Sequence, residues 1–427
     1  MQEVLTTTSK QAGRESGFVQ REVKLDGASF IQTLVFSWMA NPEASLEEMT
    51  QTAALLGIEI SPQGLDQRFT PQSAACAKQV LEAAVKLLLK KDPATLPILE
   101  RFTGVYLQDS SIIVLPDELR TLWPSCGGDT SGAALKVQVR WELRSGQLEG
   151  PFLHAGREPD LSAEVQHLPM PEGSLRLADL GYWSVKRFVQ VQNESSYMLS
   201  RVHAATEVFY SGQQLDFTSF LQSHRNDQFE MEIELSASHR WRCRLLGQRV
   251  PPKVSAERRR KLWQKAHKRG TTPSQRQLVF CDWNLIVTNI PAESLTLEEA
   301  LVLLRVRWQI ELCFKFWKSH GRVDESRSRK PYRVLCEVYT KLLTLLIQHW
   351  VMLTNNWNPV QQSIFKAGKA LSKNAWHLAS ALHNLRDLCE VLTEMGRVMA
   401  SSCRINKRKK RPSTFQRLHQ PSLGALA

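Results

Sequence analysis

Every second residue from 135 to 143 is apolar: Leu135, Val137, Val139, Trp141 and Leu143 fall on one side, with Lys136, Gln138, Arg140 and Glu142 on the other. A helix would scatter those five residues around its circumference, whereas a strand, with its period of two, gathers them on one face. Ser145-Gly146 supplies a turn, and residues 147–153 return as the hairpin partner. Two strands alone are marginal in water, so this hairpin must find further strands or helices for its apolar face. The sequence offers both. A short strand at 104–108 ends at Asp109, and another at 175–178 ends at Asp179, followed by Leu180-Gly181-Tyr182. A helix at 183–192 and a strand at 197–203 come next. Three strands and then a strand–helix–strand run predict an α/β fold, a mixed sheet flanked by helices.

On either side of this core the period becomes helical. Residues 46–56 are apolar at helical spacing, Gly57 is a C-cap, and Ser61-Pro62 opens a second short helix. This pair reads equally as a helix-turn-helix for a DNA groove and as an ordinary helical hairpin. A longer amphipathic helix follows at 70–91 and stops before Asp92-Pro93. Residues 205–290 interrupt the α/β order. Alternation at 229–235 and 240–245 predicts a β-rich insertion, 256–269 is a basic helical stretch, and 283–288 is a strand leading back. Thr296-x-x-Glu299 is a capping box that starts one helix running to about 319. Helices at 331–354 and 374–400 close the fold, and 404–411 is a basic run with no fold of its own. The expected organisation is a helical N-terminal region (1–95), a core in two parts (96–204 and 291–354) around the β-rich insertion (205–290), and C-terminal helices with the tail (355–427).

A chain of 427 residues holds two to four such structural units. Its Lys plus Arg exceed Asp plus Glu by 13, a surplus suited to a polyanionic partner. The eight cysteines form no C-x-x-C pair and no zinc spacing, which points to reduced thiols in a cytoplasm. The first fourteen residues lack a signal-peptide core. The most apolar stretch, 342–353, is interrupted by Gln348 and His349 and is too short to span a bilayer, so no membrane is expected.

The helix starting at 296 carries the residues richest in chemistry. Arg307, Glu311, Lys315 and Lys318 recur at steps of three and four, which keeps them on one stripe at about 100° per residue. Glu311 as a metal ligand among cations that hold phosphates fits this stripe. A solvated salt-bridge ladder has the same spacing, and spacing alone favours the ladder. Asp109 and Asp179 shift the balance, because strand ends can aim short carboxylates. A lone Asp there is more often a turn or cap residue. Three carboxylates on a rigid scaffold are what two divalent ions need to clamp the attacking and leaving oxygens of a phosphodiester.

The stretch Leu304-x-x-Arg307-Trp308-Gln309-Ile310-Glu311-x-x-Phe314-Lys315-x-x-Lys318-Ser319 resembles the Tyr-Arg-Glu-Lys signature of a large group of bacterial insertion-sequence DDE transposases. Residues 175–182 resemble the group's second-aspartate block, and Gln108-Asp109-Ser110-Ser111 its first. The resemblance spans about 100–350. It implies a ribonuclease-H-like core and a catalytic, metal-binding set of Asp109, Asp179 and Glu311. It further implies two Mg2+ ions, with Mn2+ able to substitute, and Arg307 and Lys318 on DNA-end phosphates. The implied activity is cleavage at transposon ends and strand transfer into target DNA, by cut-and-paste. The implied partners are double-stranded DNA, as terminal inverted repeats and target, and a second copy of the chain in a synaptic homodimer at the nucleoid. Leu304 departs from the signature, which has tyrosine there. Relatives that form a DNA hairpin stack an extruded base on an aromatic ring. Trp283 and Trp308 are the candidates, against even or better odds of plain core packing.

Two other readings stay open. One is a different ribonuclease-H-like endonuclease, which cuts without joining. The other is a transposase descendant that binds DNA without cutting it.

Overall fold

The computed structural model describes residues 1–21, 24–87, 89, 96–126, 131–358, 361–406, 412 and 414–419. The chain forms two units, each assembled from separate stretches. One comprises Met1–Ala94, Asp109–Val165 and Gln309–Lys407, and the other Thr95–Gln108, Gln166–Trp308 and Arg408–Ala427.

Strand β1 (Val105–Leu115) contributes its first four residues to the second unit and the remainder to the first. This corrects the short strand expected at 104–108: the strand continues well past Asp109, which lies within it and not at its end. In the first unit β1 is followed by the hairpin of β2 (Ala133–Glu142) and β3 (Leu148–Ala155), in the order β3-β2-β1. The antiparallel register pairs Val137 with Leu153 and Lys136 with His154. Gly146 has φ 77°, the left-handed conformation that favours glycine in a tight turn. Its carbonyl accepts hydrogen bonds from Trp141 Nε1 at 3.0 Å and His349 Nε2 at 2.7 Å. Both faces of β2 are buried, the polar one included. Ion pairs make that burial tolerable: Lys136 meets Asp160 at 3.2 Å and Arg140 meets Glu149 at 2.7 Å.

The helix Pro331–Thr354 is the centre of this unit. Every residue from Val334 to Leu353 is buried, including the polar stripe of Glu337, Lys341, Thr344 and Gln348. It packs against Gly27–Ala40 and Pro71–Val85. Asp26 caps the first of these by accepting from the Ser29 N–H, and Thr70 caps the second with Pro71 at its first position. The second helix ends at Val85; its expected terminus at Asp92-Pro93 lies outside the described residues. Of the short pair further upstream, Leu46–Leu55 has ten residues and Pro62–Asp66 only five. The first residues, which lack a signal-peptide core, are helical over Val4–Thr8 and Ser9–Glu15, with Val4, Leu5 and Ala12 buried.

The second unit is built on one sheet. Beyond β1 come β4 (Leu175–Ala178), β5 (Tyr197–Arg201), β6 (Val208–Tyr210), β7 (Gln213–Gln214), β8 (Gln228–Leu235), β9 (Trp241–Arg249) and β10 (Trp283–Thr288). Their order is β1-β4-β5-β10-β9-β8-β6-β7. The joins β1–β4 and β4–β5 are parallel and those beyond β5 antiparallel. The strands of 205–290 therefore extend the unit's own sheet. Gly247 on β9 sits opposite Phe229 on β8, and a Cβ there would collide with the Phe229 ring. The core gathers Phe188, Val191, Met198, Leu245 and Val287.

Two helices predicted as continuous are divided. The run from Thr296 is Leu297–Val306, then a break at Arg307, then Trp308–Ser319. Neither Pro nor Gly is present and Arg307 keeps helical angles (φ −49°, ψ −32°). The break coincides with the change of unit after Trp308, where the chain leaves one core for another. The span expected as one helix at 374–400 is Ala375–Ala381 and Leu385–Ser402, the second capped by Asn384. Most of the basic run, from Lys407 to Arg411, lies outside the described residues.

All eight cysteines are free thiols. Burial pushes the Cys313 and Cys336 thiols up to about 12, which leaves them protonated and inert. Among the described residues no helix is long and apolar enough to cross a membrane.

Candidate active site

In the first unit, Asp109 lies within β1, half-buried, and its Oδ1 accepts the backbone N–H of Ser110 at 2.8 Å. Glu311 stands in the first turn of the helix Trp308–Ser319, where the helix dipole favours an anion. That helix turns Ile310, Cys313, Phe314, Phe316 and Trp317 into the core. Glu311, Lys315 and Lys318 occupy the less buried side, so the sequence's single stripe holds for these three. Lys318 donates to the carbonyl of Ile112 on β1 at 2.9 Å and lies 3.8 Å from Asp324. This bond ties the helix of Glu311 to the strand of Asp109.

In the second unit, Asp179 directly follows β4 and starts the turn Leu180–Tyr182; its side chain is half exposed. Arg307 Nε lies 3.8 Å from Asp179 Oδ1. The sequence assigned Arg307 to phosphates, and here its neighbour is a candidate metal ligand. In the parallel register of β1 and β4, Gln108 is opposite Ala178. Gln108 is held by Arg176, 2% exposed, whose Nη2 donates to Gln108 Oε1 at 2.9 Å and also to Gln166 Oε1. No sequence signal marked Arg176, because a buried arginine at a strand position looks like any polar residue of an alternating strand.

An open cavity of about 1210 Å³ lies within the second unit. Arginines 201, 249, 258, 305 and 307 line it, with Leu304 and both candidate tryptophans. Arg258 donates to the Trp283 carbonyl at 3.0 Å and to Asn284 Oδ1 at 2.7 Å. Burial, and then the nearby Arg201 charge, lower the pKa of Arg258. The two tryptophans differ sharply. Trp283 is 3% exposed, the Arg249 guanidinium sits 4.4 Å from its ring centroid, and Phe229 packs 5.3 Å away. Trp308 is 55% exposed. Of the two, Trp308 offers an accessible ring. Arg201, Arg249 and Arg258 come from separate elements, so no spacing along the chain could have collected them with Arg305 and Arg307.

As donors, Asp109, Asp179 and Glu311 supply only carboxylate oxygens, the chemistry that hard divalent cations take. That donor set fits such an ion. Among the described residues, no three His, Cys, Asp or Glu side chains already meet as a metal-holding cluster.

Comparison with known proteins agrees with this chemistry. The family model described as "Transposase DDE domain" matches residues 100–347, more than half of the chain, and spans all three carboxylates. The transposase for insertion sequence element IS231B of Bacillus thuringiensis subsp. berliner is 25% identical, covering 95% of this chain and 91% of the relative. The transposase for IS231F of Bacillus thuringiensis subsp. israelensis is 23% identical with the same coverage. The transposase for IS1151 of Clostridium perfringens is 24% identical over 80% of this chain and 77% of its own. The chain belongs to the transposase DDE domain family.

Proposed function

We propose that the protein is a DNA transposase that cleaves transposon ends and joins them to target DNA by cut-and-paste, acting at the bacterial nucleoid. The observation that carries this reading is the family match over 100–347, which contains Asp109, Asp179 and Glu311 in order. The parallel joins β1–β4 and β4–β5 support a ribonuclease-H-like core. Asp109, Asp179 and Glu311 would together hold Mg2+, or Mn2+ in its place. When bound, two such ions supply charge to the attacking and leaving oxygens of the phosphodiester. The chain's own part is positioning. The Arg176–Gln108 hydrogen bonds fix the Gln108 side chain next to Asp109, and Arg307 balances the charge of Asp179. Lys315 and Lys318 present cations to the phosphates of the DNA end. Two ends must be held at once, which calls for a homodimer in the synaptic complex. The test is incubation with Mg2+ and DNA bearing the element's own inverted repeats. Cleaved and joined products are expected; cutting without joining would indicate an endonuclease, and binding alone a DNA-binding descendant.

Arg307→Ala should weaken binding to those ends and lower the slope of log affinity against log salt by about one, with the fold intact. An unchanged slope would show that Arg307 serves Asp179 alone.

The two tryptophans give a paired prediction. Trp283→Ala removes a core ring and should destabilise its unit by about 3–5 kcal/mol. Trp308→Ala should leave stability within about 0.5 kcal/mol while costing about 1–3 kcal/mol of end binding if a base stacks there. Thermal unfolding and fluorescence anisotropy on both variants decide it, and the reverse pattern would return the stacking role to Trp283.

A further inference from the structure

The helix Pro252–Lys268 has two unlike faces. Ser255, Arg258, Leu262 and Ala266, at steps of three and four, are its buried or half-buried stripe. At about 100° per residue, Lys253, Arg260, Gln264 and Lys268 fall on the opposite side, and all four are exposed. Trp263, between these faces, is 49% exposed. A large aromatic ring left in solvent among cations is unusual, since Trp is ordinarily well buried. The nearby carboxylates are already engaged: Glu257 by Lys261 at 2.7 Å and Asp282 by Arg259 at 2.6 Å. Among the described residues Lys253, Arg260 and Lys268 form no ion pair. The helix also joins the site already described, because Val254, Arg258 and Leu262 wall the arginine-lined cavity.

We infer that the outer face of this helix is a second contact surface for double-stranded DNA, gripping backbone phosphates alongside the cavity. The inference rests on the transposase reading and adds a surface to it. A helix of this length extends about 25 Å, while phosphates recur about every 3.4 Å along each strand, so several lie within its reach. Unpaired cations bind there by releasing condensed counterions, which requires no particular base sequence. Trp263 adds a flat ring for sugar and base edges between the phosphate contacts.

The test uses the full-length protein and a labelled DNA duplex of arbitrary sequence, with affinity measured across a salt series. The triple variant Lys253→Gln, Arg260→Gln, Lys268→Gln should make the negative slope of log affinity against log salt shallower by about three and weaken binding on the order of tenfold or more at physiological salt. Wild-type slope in the triple variant overturns the inference. So does an equal loss in a control triple, Lys369→Gln, Lys373→Gln and Arg397→Gln, which removes the same charge elsewhere. If the triple variant fails to fold, Arg260→Gln alone carries the test, with an expected slope change of about one. Trp263→Phe should reduce the fluorescence quenching seen on DNA binding, and unchanged quenching counts against the ring's role. Sedimentation of wild type and triple variant checks the other occupant. Loss of self-association with an unchanged salt slope would assign the face to a second copy of the chain and overturn the inference. Failure of the wild type to bind any duplex would instead bring down the transposase reading itself, so the two failures are distinguishable.

Discussion

Replacing Asp109 by Asn, Asp179 by Asn or Glu311 by Gln is expected to abolish DNA cleavage while leaving DNA bound. Each change removes one negative charge and keeps the shape of the side chain. The cations on the helix of Glu311 and around the arginine-lined cavity remain, so phosphate contacts should persist. Metal affinity should fall, because the remaining carboxylates offset too little of the charge of two divalent ions. The expected loss in cleavage rate is on the order of 10³-fold or more for each variant, and the losses should not multiply when combined. Gel assays with matched inverted-repeat DNA measure cleavage, and anisotropy with the same DNA measures binding. A variant that nicks and joins at the wild-type rate would falsify the role of that residue as a ligand. Circular dichroism on each purified variant separates lost chemistry from lost fold.

Trp357→Ala is the substitution expected to cost the most stability in the helical unit. Trp357 is 1% exposed. Its ring stacks on Trp141 with centroids 6.4 Å apart and planes 5° apart, and meets the edge of His349 at 5.8 Å. Removing it leaves a cavity that rigid neighbours cannot fill, at a cost of about 3–5 kcal/mol. The lost aromatic pairing adds about 0.5–1.5 kcal/mol. Trp357→Phe should recover part of this. Urea unfolding followed by near-ultraviolet dichroism reports the change. A shift below about 1 kcal/mol would mean that the hairpin at Gly146 and the helix Pro331–Thr354 close over the gap.

The hairpin was legible because alternation over nine residues and a Ser-Gly turn both depend on neighbours along the chain. So were the capping box at Thr296 and the helix Pro331–Thr354, whose boundaries follow local chemistry. The helical start at Val4–Glu15 was not, because its few apolar residues gain meaning only when the unit's core receives them. The burial of Lys136 was equally hidden, since its partner Asp160 lies beyond the hairpin. At Arg307 a helix propensity without interruption gave way where the chain passes between cores.

Local sequence determined the α/β class, the order of the elements and the cations on the helix of Glu311, because each is a matter of residue type and short-range period, whereas the three carboxylates were singled out by a family resemblance. The tertiary structure decided what those residues face. It put Arg307 beside Asp179, buried Trp283 under Arg249 while leaving Trp308 exposed, and brought arginines 201, 249, 258, 305, 307 and 417 around one cavity. Burial and charge proximity are sums over neighbours in space, and no period along the chain encodes them.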